Sequence, residues 1–164
     1  MSQQQRMQRV ARVLRRNPWM VVAAWRVWRL TRPRFTMGVV GVIFNASGHV
    51  LLVEHVFHPY LPWGLPGGWV ERQEDPAVSL RREMREELAL DVEVGAVVAV
   101  ELVAHTHVDL AYRCFTRGEI GALSYELLDY GWFDPQHLPG THLFHQIAIQ
   151  RAQAALVSEE TYPA

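Results

Sequence analysis

The spacing of apolar positions changes character along the 164 residues. Between residues 3 and 16, Met7, Val10, Ala11 and Leu14 recur at three- and four-residue intervals, and arginines fill the other side. That period predicts an amphipathic helix. Asn17-Pro18 reads as a helix cap followed by proline at the first helical position, opening a second helix to about Leu30 that Pro33 ends. From Met37 the period shortens. "MGVVGVIF" and "HVLLVEHVF" predict strands joined by the turn "NASG", and "HPYLPWGLPGGW" predicts a loop. A helix is expected from Pro76 to about Ala89 with Asp75 as its cap. Strands follow at 92 to 103 and 110 to 116, on either side of "HTHVD". "YELLDYGWF" supplies another strand, and a last helix covers roughly 142 to 157. Strands flanking one helix and closed by another predict an α/β layered domain.

Charge divides the same chain in two. There is no lysine, and nine arginines (Arg6, Arg9, Arg12, Arg15, Arg16, Arg26, Arg29, Arg32, Arg34) precede the first acidic residue, Glu54. The expected organisation is therefore a basic helical arm, residues 1–35, and an acidic domain, residues 36–164. Half-hydrophobic composition indicates a folded chain, and the single Cys114, in an apolar run, reads as a buried structural thiol in a reducing compartment. The longest apolar stretch, "PWMVVAAW", is interrupted by Arg26 and Arg29, so it is too short for a membrane span and lacks a signal-peptide cleavage site. A cytoplasmic protein is expected, with peripheral membrane attachment as an option.

The segment "RREMREEL" places Glu83, Glu86 and Glu87 within about one helical turn, where carboxylates repel unless cations intervene. Either the neighbouring arginines neutralise them or divalent ions do. Glu83 and Glu87, four apart, share a helix face with Glu86 beside them. Oxygen-only clusters of this kind suit Mg²⁺, with Mn²⁺ as a substitute. Pro66-Gly67-Gly68 lets the backbone pass close by.

In its context, "GWVERQEDPAVSLRREMREELAL" resembles the Nudix box, G-x5-E-x7-R-E-U-x-E-E-x-G-U with U aliphatic. Gly68, Glu74, Arg82, Glu83, Glu86 and Glu87 match it, a coincidence on the order of one in ten million per starting position. "LLVEH", "WGLPGGWVE" and "YGWFDPQHLP" extend the likeness over roughly residues 37 to 155. The resemblance implies a Nudix (MutT-like) α/β/α sandwich with a mixed sheet, and a Mg²⁺-dependent pyrophosphohydrolase. Its substrate would be a nucleoside diphosphate derivative such as a nucleotide or nucleotide sugar. It implies Glu83 and Glu87 as metal ligands, Glu86 as a third ligand or the general base, and a Gly67 carbonyl in the metal shell. Arg82 would hold a glutamate in place and Glu74 would tie the loop to the helix. Glu126 and Asp129 are alternative bases. The family's glycine is replaced by Ala89, where a left-handed helix end costs about 1 kcal/mol more.

Other features carry two readings each. His105, His107 and Asp109 alternate on one strand face, as a metal trio or as polar residues at a hairpin tip. Phe57, Tyr60 and Trp63, with Gly68, are candidates to contact substrate by stacking a base, or the aromatics pack the loop. The arm packs against the domain or a dimer mate, rests on an anionic membrane, or contacts nucleic acid. Two functions compete with small-nucleotide hydrolysis: a catalytically silent nucleotide sensor, and an RNA 5′-end pyrophosphohydrolase using the arm as a clamp. No marker proline or tyrosine occurs around Thr106 to Val108, which disfavours ADP-ribose and dinucleoside polyphosphates.

Overall fold

The computed structural model describes residues 3–161, without the side chains of residues 6, 9–11, 104 and 157–161. Two compact units divide it, Met1–Arg34 and Phe35–Ala164. In the first, α1 (Gln3–Arg16) and α2 (Pro18–Leu30) meet at one residue, Asn17. The side chains of Arg6, Arg9, Val10 and Ala11 lie outside the description; Leu14 is half-buried and Met7 exposed. Asn17 does not cap α2 as its sequence suggests. Its Nδ2 and its backbone N–H both donate to the Val13 carbonyl, at 3.0 Å, so the residue closes α1 instead. Its ψ of 71° falls short of the extended geometry that aims a cap at the following helix.

The second unit holds β1 (Thr36–Ile43), β2 (Val50–His55), β3 (Trp63–Gly64), β4 (Gly67–Trp69), α3 (Pro76–Leu88), β5 (Val92–Ala104), β6 (His107–Thr116), β7 (Leu127–Phe133) and α4 (Leu143–Thr161). The strands form two sheets. One is mixed, in the order β4-β1-β6-β5 with β1 parallel to β6, and the other is antiparallel, in the order β3-β2-β7. β3 and β4 lie within the expected loop. Runs of two and three residues carry no period of their own and exist through pairing with β2 and β1. β6 also starts earlier than expected, at His107, because Thr36 on β1 pairs with it.

Burial explains the layering. On β2, Val50 and Leu52 pack toward α4 with Phe144, Ala148 and Ile149, whereas Leu51 and Val53 pack toward α3 with Leu80, Met84 and Leu88. β1 divides the same way, Val39 and Ile43 toward α3 and Val42 toward α4. A strand buried on both faces reads as a continuous apolar run, as "VLLV" does. The result is an α/β/α arrangement, and each fully buried leucine on α3 contributes about 2 kcal/mol of apolar transfer. Cys114 is buried in this core, and burial pushes its thiol up to about 12, as expected of a structural cysteine.

Candidate active site

α3 carries the chemistry beside its core stripe. Asp75 caps it by accepting from the Ala77 and Val78 amides at 2.9 and 3.3 Å, and Pro76 takes the first position. Leu80, Met84 and Leu88 face the core at four-residue spacing. One step round the cylinder, Glu83 and Glu87 repeat the spacing on the side of an open cleft. The helix ends with Ala89 in the left-handed conformation at φ 48°, and Leu90 N–H returns to the Met84 carbonyl at 3.1 Å. The glycine-like geometry survives the alanine, with the strain that a Cβ brings there.

The cleft, about 620 Å³, is lined by Gly67, Gly68, Glu83, Glu86, Glu87 and Glu126, and by His55, His58, His107, Asp109 and His145 among others. Two glycines make it. Gly67 has a φ of +146°, and a Cβ there would overlap the Val39 carbonyl of the adjacent strand. A Cβ at Gly68 would lie 2.5 Å from the Glu83 carboxyl carbon, so only hydrogen leaves that carboxylate its place.

Arg82 lies outside the cleft lining and organises the carboxylates from behind. Nε and Nη2 bind Glu74 in bidentate fashion at 3.2 and 3.1 Å, and Nη1 donates to Glu83 at 2.8 Å and Glu86 at 3.1 Å. Nη2 also reaches the Trp69 carbonyl and Ser79 Oγ, anchoring the loop to the helix. The Arg82 hydrogen bonds hold the Glu74 carboxyl down at about 2. Arg82 thus ties Glu74, Glu83 and Glu86 together. One guanidinium also resolves the crowding on the helix. Arg85 does not share the task, as it pairs with Asp91.

Glu87 stands apart. It is 6% exposed, and Gly67 N–H donates to its Oε2 at 3.2 Å. Burial pushes it up to about 8, against the opposing pull of that amide. Burial likewise raises Glu83 despite Arg82. Without a cation, Glu87 near neutral pH therefore holds a proton in place of a counterion. Among the described residues no three ionisable side chains converge into a finished metal cage. The donor set still fits one: clustered hard oxygens, an uncompensated buried carboxyl, and a glycine turn that admits them.

The chain between β6 and β7 packs on the end of α3 and brings Glu126 to the cleft. Gly121 N–H bonds the Leu88 carbonyl and Ser124 N–H the Glu87 carbonyl, each at 2.9 Å, consuming orphan acceptors of the helix end. Val56 N–H donates to the Glu126 carbonyl at 2.9 Å, which fixes Glu126 at the cleft. Asp129, the other alternative base, does not line it; it sits within β7 and accepts from the Tyr130 amide.

A second cavity of about 440 Å³ adjoins the first, sharing Phe57, His58, Asp109 and His145. Phe57, Tyr60 and Trp63, singled out from sequence, all line it. Trp63 is additionally braced edge-on by Phe133, with centroids 4.9 Å apart. The sequence reading missed the histidines here. Leu65 N–H donates to His145 Nδ1 at 3.1 Å, so the ring proton sits on Nε2. Burial lowers His145 and His55 to about 4, keeping both neutral. The pairs His55/His58 and His142/His145 each have i, i+3 spacing, but they lie far apart in sequence, so no local motif announces them.

His105, His107 and Asp109 do not form a metal trio. His105 lies in the exposed β5–β6 turn. His107 Nε2 is occupied by Asp109 at 2.8 Å, its Nδ1 by Thr36 Oγ1 at 2.8 Å, and the Trp69 ring lies against it, tilted, with centroids 4.6 Å apart.

Comparison with known proteins matches the NUDIX domain family model to residues 34–154. A "MutT-like protein" from Streptomyces ambofaciens is 29% identical over 107 residues, 65% of this chain and 68% of the relative. A MutT NUDIX hydrolase from Burkholderia pseudomallei is 27% identical with a TM-score of 0.63, covering 73% of this chain and 98% of that one. An ADP-ribose pyrophosphatase from Streptococcus suis is 26% identical with a TM-score of 0.61, covering 73% and 91%.

Proposed function

The chain belongs to the NUDIX domain family and is a Nudix hydrolase, and from that premise we propose that it hydrolyses the diphosphate bridge of a nucleoside diphosphate derivative in a Mg²⁺-dependent reaction. The observation that carries this reading is Glu87: a buried carboxyl raised to about 8, beside Glu83 and Glu86, that gains a counterion when a divalent cation enters.

Glu83 and Glu87 would hold Mg²⁺, with Mn²⁺ able to substitute, and Glu86 and the Gly67 carbonyl would complete the protein's share. The bound cation supplies charge neutralisation for the diphosphate and acidifies a water. Arg82 fixes Glu83 and Glu86, and Glu74 fixes Arg82. Glu126 accepts the proton of the attacking water. Glu86 is less suited to this, since its charge is already engaged by the guanidinium. The aromatic cavity formed by Phe57, Tyr60 and Trp63 receives the organic group, stacking a base or lining a sugar. The solved relative named as an ADP-ribose pyrophosphatase supports a nucleoside diphosphate joined to a second group, and ADP-ribose itself re-enters as a candidate despite the absent marker residues.

The test is a panel of nucleoside triphosphates, ADP-ribose, UDP-sugars and dinucleoside polyphosphates, incubated with Mg²⁺ in ¹⁸O-water. Label in one phosphate product, absent with EDTA, is the expected outcome. No turnover of any member would leave a nucleotide sensor instead.

A further inference from the structure

We propose that the helical arm is a docking element for anionic lipid bilayers, lying in the headgroup region without crossing it. The arm's nine arginines are unmatched by any acidic residue before Glu54, whereas the rest of the chain has seven arginines against seventeen acidic residues. No residue of α2 is buried, and every residue from 18 to 36 is exposed. At 100° per residue, Met20, Val21, Ala24, Val27 and Trp28 share one face of α2, with Trp25 at its border and Arg26 and Arg29 opposite. Arg29 lies over the Trp25 ring at 4.7 Å and Arg32 over Trp28 at 4.1 Å. Tryptophan flanked by cations is the composition of a bilayer interface, where the ring meets both apolar chains and charged headgroups.

The dimensions agree. α2 has 13 residues, about 20 Å, against the roughly 30 Å of a hydrocarbon core, and no described helix is long and apolar enough to cross a membrane. Charge selects among occupants. A second copy offers an equally cationic arm, which repels. Nucleic acid would satisfy the arginines but not Met20, Val21, Val27 and Trp28. An anionic bilayer satisfies both at once.

Vesicle flotation of the full chain tests the idea, using phosphatidylcholine alone and with about a third phosphatidylglycerol. The expected result is binding to the anionic vesicles only, weakened by high salt. Arg26→Gln with Arg29→Gln should lower partitioning roughly thirtyfold, and the lysine pair should restore it. Trp25→Ser with Trp28→Ser should weaken binding at unchanged charge, and hydrolysis of a soluble substrate and the thermal midpoint should hold in every variant. Absence of flotation at low salt overturns the proposal. So does preference for RNA or duplex DNA over vesicles in competition, or flotation indifferent to lipid charge.

Discussion

The arm and the acidic helix face the same difficulty, like charges crowded on short helices, and meet it in opposite ways. On α3 the neutralisation is internal. Arg82 serves three glutamates, and buried Glu87 retains a proton. The arm has no acidic residue of its own, and Arg29 and Arg32 lean over tryptophan rings while the apolar surface of α2 stays exposed. A helix whose charges are satisfied within the fold is prepared to exchange those partners for a ligand. A helix with no acidic residue in its own unit offers its cations to something outside it.

Substitutions can separate the two halves of this contrast. Glu87→Gln keeps an acceptor for the Gly67 amide but removes the ionisable carboxyl; turnover should fall on the order of a thousandfold while the thermal midpoint is kept or raised. Gly67→Ala should destabilise the domain by about 3 kcal/mol, read as a lower denaturation midpoint, because φ +146° and the Val39 carbonyl both exclude a Cβ. Arg82→Ala should cost ten- to a hundredfold in activity with a higher Mg²⁺ requirement, since Glu83 and Glu86 lose their positioning. Arg26→Gln with Arg29→Gln should change turnover of a soluble substrate by less than about twofold, in contrast to any of these. An equal loss of activity from the arm pair would break the comparison.

pH sharpens it further. Glu87 titrates at about 8 in the metal-free fold but near the ordinary carboxyl value when unfolded, so the native state binds the extra proton between them. Metal-free stability should therefore fall as pH rises through that window, and Mg²⁺ should restore it. His145 and His55 act oppositely. Lowered to about 4, they make the fold lose stability as pH drops from about 6.5 toward 4. Melting curves with and without Mg²⁺, in wild type and Glu87→Gln, resolve the two: the alkaline slope should vanish in the variant and the acid slope should not.

How much of this was legible in the residues follows from range. Asp75, Pro76 and the spacing from Gly68 to Glu87 are local, so α3 and its acidic face could be read directly. The left-handed end was implied only by the family's glycine, and the alanine here put it in question; main-chain bonds from Ala89 to Arg85 and Met84 keep it. β3 and β4 could not, since two or three residues acquire strand geometry only against a partner across the chain. Asn17 was misassigned because the same side chain can serve either neighbouring helix, and its ψ decided for the first. Glu126 was an alternative from sequence and faces the cleft only because Gly121 and Ser124 tie its loop to the end of α3.

The central claim is that α3 exchanges a proton and part of its hold on Arg82 for a divalent ion. Calorimetric titration of Mg²⁺ into the metal-free protein near pH 7, in buffers of different ionisation enthalpy, measures this directly. The account predicts binding with net proton release in the wild type, and neither strong binding nor release in Glu87→Gln. Equal affinity in the two proteins, or binding without proton release, would contradict it.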